Sequence, residues 1–153
     1  MNAKDKTFYN FEPKVLKHIN DFSDRDFSHV IYAYGVRGLG NPELHKAFEK
    51  RIQSQSLEQQ DYPSLFNIAY YLLFRENSNK QLWERVLKTT VSNPEILPIR
   101  YYRPFKACYY YLKARFPEEF SQKSELMIDF QDKFWYAERY FNALINEDMI
   151  MGD

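Results

Sequence analysis

Apolar residues recur at helical spacing along nearly the whole chain, interrupted by prolines, one glycine cluster and the polar turn Glu76-Asn77-Ser78-Asn79. The longest stretch is the clearest. Leu126, Met127, Phe130, Phe134, Ala137, Phe141, Leu144 and Ile145 keep an i, i+3, i+4 pattern for about five turns. No segment alternates apolar and polar residues as a half-buried strand does. Only 4 glycines are present, three of them within Gly35–Gly40, so few breakers oppose helix. The pattern predicts an all-α fold of about seven helices, stacked as antiparallel hairpins in a solenoid-like array.

The punctuation places these helices. Pro13 fits the first turn of a helix through Val15, Leu16 and Ile19. Ser23 and Asp26 resemble a capping box, with Asp in place of Glu, and open a helix that ends near Arg37. Gly38-Leu39-Gly40 supplies a left-handed cap. Asn41-Pro42-Glu43 combines an N-cap, a proline at N1 and an acid in the first turn. Asp61-Tyr62-Pro63 starts another helix through about Arg75, and Leu82, Trp83, Val86 and Leu87 mark the next. Asn93-Pro94 and Pro98 break the chain. A tyrosine-rich helix then spans about 101–115, with Pro104 in its first turn, and a long acidic helix spans about 122–147.

A length of 153 residues fits one helical-repeat domain, 1–153. The chain is 44% hydrophobic, with 13 Tyr and 13 Phe, which is enough for a core and excludes a disordered chain. Its 21 basic and 21 acidic residues balance, which removes the overall positive footprint of a nucleic-acid binder. Cys108 is the single cysteine, so no internal disulfide forms, which suits a reducing compartment. No run of apolar residues is long enough for a transmembrane helix. Met1–Asn10 has neither an apolar signal-peptide core nor the arginine-rich pattern of a usual transit peptide.

An internal repeat is also legible. Val30, Ala33, Tyr34 and Arg37 align with Phe66, Ala69, Tyr70 and Leu73 at an offset of 36. They align again with Phe105, Cys108, Tyr109 and Leu112 after a further 39. A small residue in each copy lets a neighbouring helix approach, as stacked hairpins require.

The stretch Asp26-Phe27-Ser28-His29-Val30-Ile31-Tyr32-Ala33-Tyr34, followed by Gly38-Leu39-Gly40-Asn41-Pro42-Glu43-Leu44, resembles organellar helical-hairpin repeats. It is similar to those of FAST-kinase-like, RAP-domain and octotricopeptide proteins over about residues 22–52. The resemblance implies a mitochondrial setting, with cytoplasmic placement the alternative. It also implies either an accessory role in a large assembly or a role on organellar RNA. No terminal RAP-type nuclease-like segment follows.

Catalytic and metal constellations are weak. His45 and Glu49 share a helix face at i, i+4, but a structural zinc site needs about four ligands and no second cluster appears. Asp21, Asp24 and Asp26 lack the central glycine and distal glutamate of a calcium loop, so capping is the simpler reading. Gly35–Gly40 matches no phosphate-binding fingerprint and follows no strand. Cys108 sits among tyrosines on a helix, as a core residue does. The expectation is therefore a non-enzymatic chain with no cofactor.

The charge distribution carries the functional argument. Residues 98–116 hold Arg100, Arg103, Lys106, Lys113 and Arg115 with no acid, whereas residues 117–153 hold nine acids against three bases. The two helices either compensate each other or present charged faces to different partners. Tyr101, Tyr102, Phe105, Tyr109, Tyr110 and Tyr111 interleave the basic residues. Three consecutive tyrosines span about 200° of a helix, more than one internal contact covers. Arg100, Tyr101, Tyr102, Arg103, Lys106, Tyr110 and Lys113 are accordingly the candidate partner-binding residues. The expected partners are other protein subunits, with RNA as the second reading. Residues 1–97 carry 13 bases and 12 acids, so no positive stripe extends through the earlier hairpins.

Overall fold

The computed structural model describes residues 3–95, 97–121 and 123–150. Seven α-helices and a short 3-10 turn account for most of them, and no strand occurs among the described residues. The helices are α1 (Ala3–His18), α2 (Asp24–Arg37), α3 (Pro42–Ser54), α4 (Tyr62–Phe74), α5 (Lys80–Ser92), α6 (Ile99–Arg115) and α7 (Glu125–Ile150). The chain divides into two compact units, Met1–Val86 and Leu87–Asp153. The fold is all-α.

Local chemistry explains the helix ends. Ser23 Oγ accepts from the Asp26 amide at 3.1 Å and donates to the Asp26 carboxylate at 2.7 Å, so the acid braces the cap itself. At the other end of α2, Gly38 adopts φ 62°, and the Leu39 amide reaches back to the Tyr34 carbonyl. That is a left-handed stop which a residue with a Cβ adopts only under strain. Asn41 and Asp61 cap α3 and α4 by accepting from the Leu44 and Ser64 amides.

Two boundaries differ from the sequence reading. Helix α1 starts ten residues before Pro13, which lies inside it. A proline at that position leaves the Tyr9 carbonyl without its helical donor. Tyr9 and Asn10 are solvent-exposed, which makes that loss tolerable. Helix α6 starts at Ile99, which moves Pro104 into the second turn.

In the first unit, α2 packs against α4, and α1 against α3. Gly35 is the point of closest approach: a Cβ there would lie 3.2 Å from the Tyr71 Cα. The small residue that brings α2 and α4 together is thus Gly35 rather than Ala33. The contact is completed by Asn67 donating to Ser28 at 3.2 Å and by rings of Tyr32 and Phe66 at 5.8 Å. In the second unit, α6 packs against α7, with Phe105, Phe130 and Phe134 at its centre.

Burial corrects the repeat register. The inward positions of α2 are Phe27, Ser28, Ile31, Tyr34 and Gly35. Exactly one spacing, 37 residues, carries all five onto buried positions in α4, namely Ser64, Leu65, Ile68, Tyr71 and Leu72. A second step of 37 reaches Tyr101, Tyr102, Phe105, Cys108 and Tyr109, all buried in α6. Leu44, His45, Phe48, Arg51 and Ile52 of α3 map onto buried positions of α5 at a constant 38. The offsets of 36 and 39 matched residue types, whereas the structure repeats its inward face. The side chains of Ala137, Phe141, Leu144 and Ile145, part of the pattern read in the last helix, lie outside the described residues.

Candidate functional site

Helix α6 sorts its basic and aromatic residues by face. Tyr101, Tyr102 and Tyr109 are buried, with Tyr102 and Tyr109 packed edge-on against Phe134 of α7 at 5.9 and 5.5 Å. Two of the seven candidate residues, Tyr101 and Tyr102, therefore belong to the core. They occupy the same inward positions as Ser64 and Leu65 in α4.

The remaining candidates gather on the outward side. Arg103, Lys106, Tyr110 and Lys113 follow i, i+3, i+7, i+10 spacing, which is one ridge along a helix. Tyr110 is 56% exposed, and Arg100 and Arg103 are exposed as well. Lys106 donates to Tyr102 Oη at 2.8 Å and lies 5.2 Å from that ring. Lys113 lies 5.2 Å from the Tyr109 ring, and Arg100 4.8 Å from the Tyr101 ring. The buried tyrosines thus act as supports that hold the cations along the ridge.

Beside the ridge runs a groove of about 350 Å³, lined by Tyr109, Tyr110, Ile128, Gln131, Asp132, Phe134 and Trp135. Tyr109 donates to Gln131 across its floor at 2.5 Å. Ile128 and Trp135 are 45% and 37% exposed, one on each side of Asp132. Large exposed apolar side chains beside an aromatic–basic ridge have the composition of a protein-interface core. The α7 contribution escaped the sequence reading, which took that helix as an apolar stripe on an acidic helix and assigned it no binding residue. The i, i+7 pair Ile128 and Trp135, to one side of the inward Met127, Phe130 and Phe134, was the available signal.

Other candidate constellations are occupied by structure. His45 Nδ1 lies 3.0 Å from Tyr71 Oη and Nε2 lies 2.9 Å from the Leu39 carbonyl. Nε2 therefore carries the proton that Leu39 accepts, and Nδ1 accepts from Tyr71. Burial is the main cause that lowers the His45 pKa, with nearby Arg75 acting in the same direction. Glu49 accepts from Asn77 at 2.7 Å. Among the described residues, no group of three or more His, Cys, Asp or Glu is placed to hold a metal.

The acidic knot is divided between tasks. Asp21 faces His18, Asp26 serves the α2 cap, and Asp24 accepts from Gln60 at 2.9 Å and faces Arg51 at 3.5 Å. Cys108 is fully buried, and burial pushes its thiol up to about 12. Such a thiol stays protonated and unreactive at neutral pH.

An aromatic row on the first unit was also not anticipated. Phe66, Tyr70 and Phe74 follow i, i+4, i+8 along α4, with ring centroids 4.6 and 5.2 Å apart. Tyr32 of α2 joins them at 5.8 Å from Phe66, and Phe74 is 47% exposed.

No helix among the described residues is long and apolar enough to cross a membrane. No family model, curated protein or solved structure matches the chain.

Proposed function

We propose that the chain is a non-enzymatic protein-docking module, acting as a scaffold or accessory subunit of a larger assembly. The observation that carries this reading is the α6 ridge. Arg103, Lys106, Tyr110 and Lys113 face outward, and exposed Ile128 and Trp135 stand beside them. Arginine, tyrosine and tryptophan dominate interface energetics, and here Tyr110 and Trp135 line a preformed groove beside the basic ridge. The mitochondrial setting rests on the resemblance over about residues 22–52, and cell fractionation tests it.

The experiment is the joint replacement of Arg100, Arg103 and Lys106 by Ala. Arg100 and Arg103 are exposed and Lys106 is half-buried, so helicity by circular dichroism stays close to the parent. Co-migration with a large complex in native extracts falls. Unchanged co-migration overturns the reading.

RNA binding is the second reading, and the Tyr32–Phe66–Tyr70–Phe74 row favours it, since aromatic platforms stack bases. Titration with single-stranded RNA across a salt series separates the two. Tight binding with a steep salt slope puts RNA first, and no binding at low salt supports the protein reading.

A further inference from the structure

We infer that α7 of one copy docks into the α1–α2 groove of a second copy, in a head-to-tail contact. This rests on the reading of the α6–α7 side as a protein-docking surface, and it names the partner. The groove has a volume of about 320 Å³ and an apolar lining that includes Phe8, Phe11, Val15, Val30 and Ala33. It lies on the flank of α2 turned away from α4, because Ser28, Tyr32 and Gly35 take the α4 contact. Phe11 is 50% exposed although it belongs to this lining.

Both walls of the groove carry a cation. Lys14 lies 5.5 Å from the Phe11 ring, and the Arg37 guanidinium lies 5.9 Å from the Phe8 ring. The acid nearest in sequence on α1, Glu12, is buried and is turned to Asn41, from which it accepts at 2.8 Å. The groove therefore suits a helix with bulky apolar side chains flanked by carboxylates.

The exposed strip of α7 has that chemistry along one flank. Ile128 and Trp135 stand one heptad apart on a single face, with Asp132 between them, Glu125 a turn before and Arg139 a turn after. At 100° per residue, Asp132 and Glu125 fall on one flank of the strip, about 60° from Ile128 and Trp135. The uncharged Gln131 falls on the other flank. Groove and strip lie on different units of the chain, so the contact is heterologous, with each copy offering one of each. A chain of zero net charge meets no overall repulsion when it associates with itself.

The test uses the full chain and two variants, Phe11→Glu and Trp135→Glu, in sedimentation velocity over a concentration series. Both positions are exposed, and circular dichroism confirms that each variant keeps its helicity. The parent associates as concentration rises, and added salt weakens it because the rim is charged. Each variant alone stays at the 18.6 kDa chain mass. Mixed together they form a species of twice that mass and no larger one, since one variant supplies the intact groove and the other the intact strip. Variants that fail to pair when mixed, or a parent that stays monomeric throughout, overturn the inference. Either result leaves the Arg100, Arg103 and Lys106 replacement to decide the docking reading on its own.

Discussion

Replacing Gly35 by Ala tests the helix contact on which the first unit is built. A Cβ at this position would lie 3.1 Å from Tyr71 Cδ2 and 3.2 Å from Tyr71 Cα. Carbon atoms in favourable contact stand about 3.5–4.0 Å apart, so the overlap is several tenths of an ångström. Tyr71 cannot swing aside. Its ring is fully buried, its hydroxyl meets His45, and its edge meets Phe48 at 5.9 Å. The second close atom is α4 backbone, so the helix itself must shift. Overpacking of this kind costs about 1–3 kcal/mol. Against it, alanine in a helix is favoured over glycine by about 1 kcal/mol. The expected net loss is about 1 kcal/mol for Gly35→Ala. It grows to about 3 kcal/mol for Gly35→Val, which adds two methyls and lacks alanine's propensity. Urea unfolding followed by circular dichroism measures both. Gly38→Ala is the control: nothing lies within 4 Å of its Cβ, so any loss there comes from φ 62° alone. A Gly35→Ala protein as stable as the parent would show that the α2–α4 contact gives way without cost.

Two further perturbations read other parts of the first unit. The His45 pKa lies below its ordinary value because burial disfavours the charged ring, so the unfolded chain binds the proton more readily. Stability is complete above about pH 6.5 and falls as pH drops below that value. His45→Gln should flatten the fall in urea midpoint between about pH 7.5 and 5.5, and an unchanged slope refutes the assignment. Arg85 donates to the carbonyls of Ile52, Gln53 and Gln55, which close the end of α3. Arg85→Ala should cost about 2–4 kcal/mol in urea unfolding, because several charge-assisted bonds disappear together. A loss below about 0.5 kcal/mol would mean that water replaces the guanidinium freely.

The helices were legible because their ends are written in local chemistry. Ser23, Asn41, Asp61 and Gly38 each act within a few residues of their own position. Pro13 misled for the same reason. Proline marks a first turn by local preference, but α1 continues through it, and no local signal announces that. Tertiary partners were not legible. Asp24 reaching Gln60, Glu12 reaching Asn41 and Arg85 reaching the end of α3 join residues about thirty positions apart. The candidate ridge was legible in charge but not in facing. Residues 100–103 read as one aromatic–basic cluster, and only the inward register assigns Tyr101 and Tyr102 to the core and Arg100 and Arg103 to the surface.

That register also explains why the copies look so different in sequence. At its first inward position stand Phe27, Ser64 and Tyr101, and at its last stand Gly35, Leu72 and Tyr109. An inward position must fill a gap set by its neighbour, so size matters only in pairs. The buried Tyr71 ring occupies the space that a side chain at position 35 would take, and glycine is the residue that leaves it free. In α6 the position equivalent to Tyr71 holds Cys108, small and fully buried, while Tyr109 beside it reaches Phe134 and Gln131 of α7. Bulk has moved by one residue along the same face. A comparison of residue types then slips by one or two positions, which is how offsets of 36 and 39 arise from a period of 37. The outward positions carry no such constraint. Each hairpin can therefore vary its surface, an aromatic row on α4 and a cationic ridge on α6, while it keeps one inward frame.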